Sequence, residues 1–418
     1  MSVLKAPFPW FGGKSKVADL VWSRLGDVRN YIEPFAGSVA VLLRRPADHT
    51  GKVETVNDAS HFIANFWRAV QHDPAEVAKH ADWPVSEADL HARHRWLMQS
   101  DAAAEFVTRM SHDPDAFDAK IAGWWVWGQC CWIGGGWCSG HGQRVDGSLK
   151  QCMPQTDGDQ LGKGVHAHGD QSKRVRLASF DAPGTGVHMP TQLPSLAGDA
   201  GTDGRGVASI ASGRPQLGDV FDIGRGVLSN KHAGTCEQRR EWLTDWMQRL
   251  ADRLRLVRTC YGDWSRICGS RTTTTRIGLT GVFLDPPYAK SITRMNQWLK
   301  HLQGVGDPPA YESSTDDQQR HGDLYANDKT QDVDHLVARV LNWCIEQGHD
   351  KQMRIALCGY DGEHNILEQH GWTVEAWKAH GGYANRNADN KNKDRERIWF
   401  SPACINPEVK TNLFEMAG

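Results

Sequence analysis

The sequence predicts an α/β fold: an open sheet of the nucleotide-binding kind, split by a long insertion. Three observations carry this. Strand, small-residue turn and helix signals alternate up to about residue 81. They return from about residue 257, and the stretch between the two differs in composition. Alternating strands and helices build a layered sheet whose ligands bind at strand ends.

Residues 16–25 read as a helix with Val17, Leu20, Val21 and Leu25 on one face. Residues 31–35 read as a short strand that breaks into the turn Ala36-Gly37-Ser38, with a helix expected over 39–44. A second strand over 53–56 ends in Asn57-Asp58, and 60–70 is helical. Residues 82–137 are mainly helical and Trp-rich. From 139 to about 231 the chain is rich in Gly, Ser, Asp and Gln, with a weak repeat. The words Gly204-Arg205-Gly206-Val207 and Gly224-Arg225-Gly226-Val227 show that repeat, which reads either as an irregular inserted arm or as a structureless linker. A clear helix follows over 237–257, with Trp242, Leu243, Trp246, Leu250 and Leu254 at helical spacing. Strands are expected at 257–261, 281–284, 353–358 and 398–400, and a helix at 333–347. The expected division is a discontinuous sheet domain, 1–81 with 257–418, and an insertion, 82–256, carrying the Gly-rich arm at about 139–231.

The bulk numbers bound the function. A chain of 418 residues with formal net charge −2 is not basic overall, so any nucleic-acid contact must use local positive charge. The first ten residues are broken by Lys5, Pro7 and Pro9, unlike a signal peptide, and no apolar run is long enough to span a bilayer. Ten irregularly spaced cysteines fit a reducing cytoplasm. Cys130, Cys131, Cys138, His141 and Cys152 form no paired Cys-x-x-Cys pattern, so no metal is expected. The 19 histidines show no ligand spacing, and His335 is expected to pack or cap.

The strongest chemical signal is Asp285-Pro286-Pro287-Tyr288, directly after the apolar strand 281–284. An aromatic exocyclic amino nitrogen is a poor nucleophile, because its lone pair is delocalised into the ring. Two acceptors bonded to its N–H groups can pull it towards a tetrahedral shape. Asp285 supplies one acceptor, and a backbone carbonyl restrained by Pro286 and Pro287 supplies the other. Tyr288 offers a flat face for an extruded base. The bland alternative is a proline-rich turn with a solvated acid.

These words resemble the Dam-type adenine-N6 DNA methyltransferases, the D12 class in the alpha motif order. Trp10-Phe11-Gly12-Gly13-Lys14 is similar to the family's opening Trp-x-Gly-Gly-Lys, and Glu33-Pro34-Phe35-Ala36-Gly37-Ser38 to its Glu-Pro-Phe-x-Gly turn. Many members carry a second Gly where this chain has Val39. Asn57-Asp58, Gly262-Asp263-Trp264 and the closing Arg395-Glu396-Arg397-Ile398-Trp399-Phe400 complete the pattern in the expected order. The resemblance implies a Rossmann-like S-adenosylmethionine-dependent methyltransferase sheet with a helical or irregular target-recognition insertion. It implies that Trp10 and Lys14 close over the cofactor, Lys14 near the methionine carboxylate. The turn Glu33–Ser38 and the following helix N-terminus would cradle it, and Asp58 would bond its ribose. Asp263 would accept from its adenine, Trp264 would pack on that ring, and Asp285 would border both cofactor and base.

The implied partner is double-stranded DNA, with the target adenine flipped out of the duplex. Arg271 and Arg276 before the catalytic strand, and Arg386, Lys391, Lys393 and Arg395 near the C-terminus, are candidates for backbone contacts. Arg205 and Arg225 in the arm are candidates for base or phosphate contacts. A monomer or weak dimer is expected, in the cytoplasm of a bacterial or phage-infected cell. A cytosine-N4 enzyme would share the acceptor geometry, but Ser-Pro-Pro-Tyr is common there where this chain has Asp285. A non-catalytic DNA-binding protein that kept the fold is the rival of another class.

Overall fold

A computed structural model describes residues 4–10, 14–46, 51–113, 115–132, 137–138, 227, 235–309, 332–377 and 395–406. Its centre is a seven-stranded sheet: β1 (Asn30–Glu33), β2 (Val53–Asp58), β3 (Arg258–Tyr261), β4 (Thr280–Leu284), β5 (Met353–Tyr360), β6 (Thr373–Ala376) and β7 (Glu396–Phe400). The order across the sheet is β3-β2-β1-β4-β5-β7-β6. Strands β3, β2, β1, β4 and β5 run parallel, and β7 lies antiparallel between β5 and β6. The α/β, Rossmann-like class is borne out.

Successive strand residues point to opposite faces, and both faces are covered. Tyr31, Phe283, Ala356, Cys358, Ile398 and Phe400 enter one core; Ile32, Val282, Leu284, Ile355, Leu357 and Trp399 enter the other. This explains why β4 and β5 read as continuous apolar runs. The first core takes α1 (Ala18–Leu25), α2 (His61–His72), α3 (Pro74–Ala81), α4 (Glu87–Gln99), α5 (Asp101–His112), α6 (Ala119–Cys131) and α7 (Cys236–Leu254). The second takes the short α8 (Ser265–Cys268), α9 (Ile292–Leu302) and α10 (Val333–Gln347). Helix α7 opens on a capping box, in which Thr235 and Gln238 satisfy each other's backbone N–H groups. Helix α6 starts at Asp118, whose side chain accepts from the Ile121 N–H.

One expectation needs correction. The helix expected over 39–44 is a single 3₁₀ turn, Leu42–Arg44. Pro46 follows closely, and Val39 is held at φ 48°, outside the helical region. Helices from beyond residue 82 pack on the same core. Trp125 of α6 meets Phe8 and Phe66 in the sheet's own core, and Leu243 and Met247 of α7 belong to it. Strand β6 and helix α9 were not anticipated. β6 is a four-residue, mostly exposed edge strand without apolar alternation. The Gly-rich arm lies outside the described residues except for Val227. That residue is buried, donates from its N–H to the Pro7 carbonyl, and accepts from Arg239.

Candidate active site

The strand order reverses between β1 and β4, because β2 and β3 extend to one side and β4 and β5 to the other. Ligands of open α/β sheets bind in the crevice at the carboxyl ends of such strands. The parallel registers of β2, β1 and β4 bring Asp58, the Glu33–Ser38 turn and Asp285 to that one edge. Residues distant in sequence therefore border a single cleft.

The first wall is the turn after β1. Gly37 has φ 46°, where a side chain is disfavoured, and a Cβ there would strike the Trp10 indole. The Gly37 carbonyl accepts from Trp67 Nε1 at 2.9 Å, and its N–H donates to Asp58 Oδ2 at 3.0 Å. Asn57 fixes the same turn. Its side-chain amide donates to the Pro34 carbonyl at 3.0 Å and its main-chain carbonyl accepts from the Ala36 N–H at 2.9 Å. Glu33 is buried beneath and accepts from Tyr31 Oη at 3.1 Å and the Leu42 N–H at 3.3 Å. Burial pushes its carboxyl up to about 8. Ser38 is buried within the turn.

Asp58 closes β2. Oδ1 accepts from the Ser60 N–H at 2.8 Å and Oδ2 from Gly37, which leaves further lone pairs for hydroxyl donors. Desolvation outweighs these bonds and raises its carboxyl to about 6. Asp263, beyond β3, is already engaged. Arg339 forks onto it with two contacts of 3.1 Å, and Ser265 donates to it from both backbone and side chain. These donors overcome its desolvation and hold it below the usual carboxylate range. Trp264 is buried between Phe35, which stacks on it at 6.2 Å, and Trp343 at 5.9 Å. The Arg339 guanidinium also lies over the Trp264 ring at 5.8 Å, and the half-buried Phe35 is the aromatic beside the turn.

The second wall is the loop after β4. Lys14 Nζ lies 2.9 Å from Asp285 Oδ1 and donates to Tyr288 Oη at 3.1 Å. Lys14 is buried, and its ammonium also approaches the Trp377 ring at 5.4 Å. Burial alone would favour its neutral form, but the Asp285 carboxylate reverses the balance and holds it charged. Burial also raises Asp285, against the pull of Lys14. Lys14, expected near a methionine carboxylate, here joins Asp285 to Tyr288. Phe11–Gly13 of the same word lie outside the described residues.

Tyr288 Oη donates to Glu396 Oε2 at 2.6 Å, and its ring meets Tyr360 edge-on at 4.5 Å. Pro286 is buried and Pro287 half-buried. Two carboxylates anchor the loop from below. Glu363 accepts from the N–H groups of Ala289 (2.7 Å) and Tyr360 (2.8 Å), while Asp334 accepts from Lys290 (2.7 Å) and Ser291 (3.0 Å). Sequence reasoning missed Glu396, Tyr360, Glu363, Asp334 and Arg339 as parts of the site. Glu396 stood inside a recognised word; the others follow strands or lie on a helix with no local signature.

The basic candidates divide. Arg395 is exposed at the rim, over the Tyr360 ring at 5.1 Å. Arg271 and Arg276 are exposed at the other end of the sheet. Their turn is tied through Thr273 and Thr274 to Asn30, the first residue of β1. A crossover must carry the chain from the end of β3 back to the start of β4, and these residues lie on that return. They do not join the site. Arg205, Arg225, Arg386, Lys391 and Lys393 lie outside the described residues. His335 packs on Trp298 at 4.4 Å, away from any acid–base role. No helix among the described residues is long and apolar enough to cross a membrane.

No curated protein matches the chain. Residues 10–95 match the D12 class N6 adenine-specific DNA methyltransferase family. That stretch holds Trp10, Lys14, the Glu33–Ser38 turn and Asp58, while Asp285–Tyr288 lies beyond it. Over the matched segment, the resemblance to D12 class adenine-N6 DNA methyltransferases carried by the motifs is borne out.

Proposed function

We propose that this chain is an S-adenosylmethionine-dependent enzyme that methylates the N6 amino group of adenine flipped out of duplex DNA. The observation that carries the reading is Asp285 at the β1/β4 switch point, already holding an N–H donor from Lys14, beside the Tyr288 ring. The Lys14 ammonium marks where amino hydrogens would donate.

The residues present fit the cofactor. Gly37 lets the backbone of the turn reach φ 46° with the Trp10 indole packed against it, and Asp58 retains acceptor capacity for ribose hydroxyls. Bound there, the cofactor supplies an electrophilic methyl group on a positively charged sulfur. Asp285 accepts one hydrogen of the adenine amino group, and a carbonyl of the Pro286–Pro287 loop accepts the other. These bonds turn the nitrogen lone pair away from the ring and orient it for in-line attack. Tyr288 stacks on the extruded base, which offsets part of the few kcal/mol lost on unstacking. Arg395 contributes to holding the phosphate backbone at the rim. Asp263 would accept from the adenine amino group of the cofactor, with Arg339 fixing the direction of its carboxylate.

The test is incubation of mixed-sequence duplex DNA with isotope-labelled cofactor, followed by nucleoside mass analysis. Label in N6-methyladenine is the expected result. Label in N4-methylcytosine would move the assignment to the rival base, and no labelled nucleoside would remove it.

A further inference from the structure

The acceptor carboxylate has a competitor within its own loop. Tyr288 Oη and Asp285 Oδ1 share the Lys14 ammonium, at 3.1 Å and 2.9 Å, and Tyr288 Oη also reaches Glu396 at 2.6 Å. A phenol has one proton to donate. Here that proton goes to Glu396 at 2.6 Å, while the oxygen lone pair receives Lys14. A tyrosine hydroxyl lies on the ring's rotation axis, so a bond to it fixes where the ring points without fixing its plane. The edge contact with Tyr360 supplies the plane, and Arg395 lies against the other partner ring.

We infer that Glu396 is a positioning residue: it draws the Tyr288 hydroxyl proton away from Asp285 and keeps the Asp285 carboxylate open to the amino group of the substrate base. This rests on the reading of Asp285 as the acceptor. The charge pattern agrees. One ammonium, Lys14, stands between two carboxylates, with the tyrosine oxygen as the link to the second. Without Glu396 the hydroxyl proton would turn to the remaining anionic acceptor, Asp285. It would then occupy a lone pair that catalysis needs. No bond to carbon changes in this role; one hydrogen bond is kept on the correct side.

Glu396→Ala should lower kcat by about tenfold to about a hundredfold, the size expected for misdirecting a hydrogen bond to a charged group. The KM for DNA should change little. Glu396→Gln, whose amide oxygen still accepts from the phenol, should lose distinctly less than Glu396→Ala. The decisive variant is Tyr288→Phe combined with Glu396→Ala. With the competing hydroxyl gone, Glu396 has nothing left to restrain. The double variant should therefore be as active as Tyr288→Phe alone and more active than Glu396→Ala alone, a non-additive cycle. A merely structural Glu396 would give losses that multiply, and that result would overturn the inference. So would a wild-type kcat in Glu396→Ala. The wild-type chain runs beside the variants with nucleoside mass analysis. If it makes no N6-methyladenine, the functional reading itself fails; if it does, a multiplicative cycle defeats the positioning role and leaves that reading standing. Thermal unfolding of all four proteins separates loss of fold from loss of turnover.

Discussion

Asp58 is a carboxylate whose ionisation the cleft resists, and this gives it a signature in solution. Its folded pKa, about 6, lies above the ordinary carboxylate value because of desolvation. The free protein therefore gains from the protonated form: that contribution is present at low pH and is lost as pH rises through about 6. A ribose hydroxyl donating to Asp58 favours the ionised form instead. Cofactor affinity should then be weaker at about pH 5 than at about pH 7.5. Asp58→Asn should weaken binding at neutral pH and flatten this dependence. Titration calorimetry at the two pH values checks it, and equal wild-type affinities would remove the ribose role. Val39 carries a second residue-scale prediction. It is a fully buried, β-branched residue held at φ 48°. Backbone strain at such a residue costs about 1–3 kcal/mol, and its buried side chain contributes about 1.5–3 kcal/mol. Val39→Gly relieves the first while losing the second, so its net effect should stay within about 1–2 kcal/mol. Val39→Ala loses packing and keeps the strain. It should be the less stable of the two in denaturant titrations, against the usual ranking of alanine over glycine.

At the scale of elements, the site is a loop held from two sides. Glu363, after β5, accepts two backbone N–H groups, and burial raises its carboxyl to about 7. Removing a buried acceptor leaves its donors unsatisfied, at about 1–3 kcal/mol each. Glu363→Ala should therefore loosen the loop after β4 and lower kcat, with cofactor affinity kept because the β1 turn and Asp58 are untouched. Steady-state kinetics beside calorimetry tests this; a parallel fall in cofactor affinity would show that the two walls are not independent. The two walls also differed in legibility. The β1 turn was readable because its chemistry is local: Gly37, Asn57 and Asp58 stand in compact words beside apolar strands. The support of the second wall was not. Glu363 and Asp334 hold the loop by accepting N–H groups of Ala289, Lys290 and Ser291, all far away in sequence, and no spacing rule reports that. The failed helix over 39–44 has a physical cause of the same kind, since a left-handed Val39 is imposed by packing against local preference.

At the scale of the molecule, the helices drawn from the insertion share the sheet's core. Arg253 of α7 binds Glu54 of β2 at 2.7 Å, and Arg45 binds the same carboxylate at 3.0 Å. These bonds outweigh desolvation and hold Glu54 below its ordinary pKa. Arg253→Ala strips one partner from a buried carboxylate, with Arg45 still in place. A loss of about 2–4 kcal/mol in chemical unfolding is expected, below the full cost of an unpaired buried charge. If unfolding were unchanged, α7 would be an appendage and not part of the sheet's frame. The sequence showed both halves of the sheet and the long interruption, because apolar periodicity survives without tertiary knowledge. It did not show that α6 and α7 close the core, since their apolar faces say only that something covers them. Basic residues were hardest to place. Arg271 and Arg276 precede β4 closely in sequence, yet that places them near its start, a strand's length from Asp285.

In the proposed reaction the Asp285 carboxylate grips the amino group that receives the methyl. The most direct measurement of this compares Asp285→Ala with wild type for single-turnover methyl transfer to duplex DNA and for cofactor binding. The expected result is loss of N6-methyladenine formation by at least about a hundredfold with cofactor affinity nearly unchanged. Methyl transfer at the wild-type rate in Asp285→Ala would contradict that role.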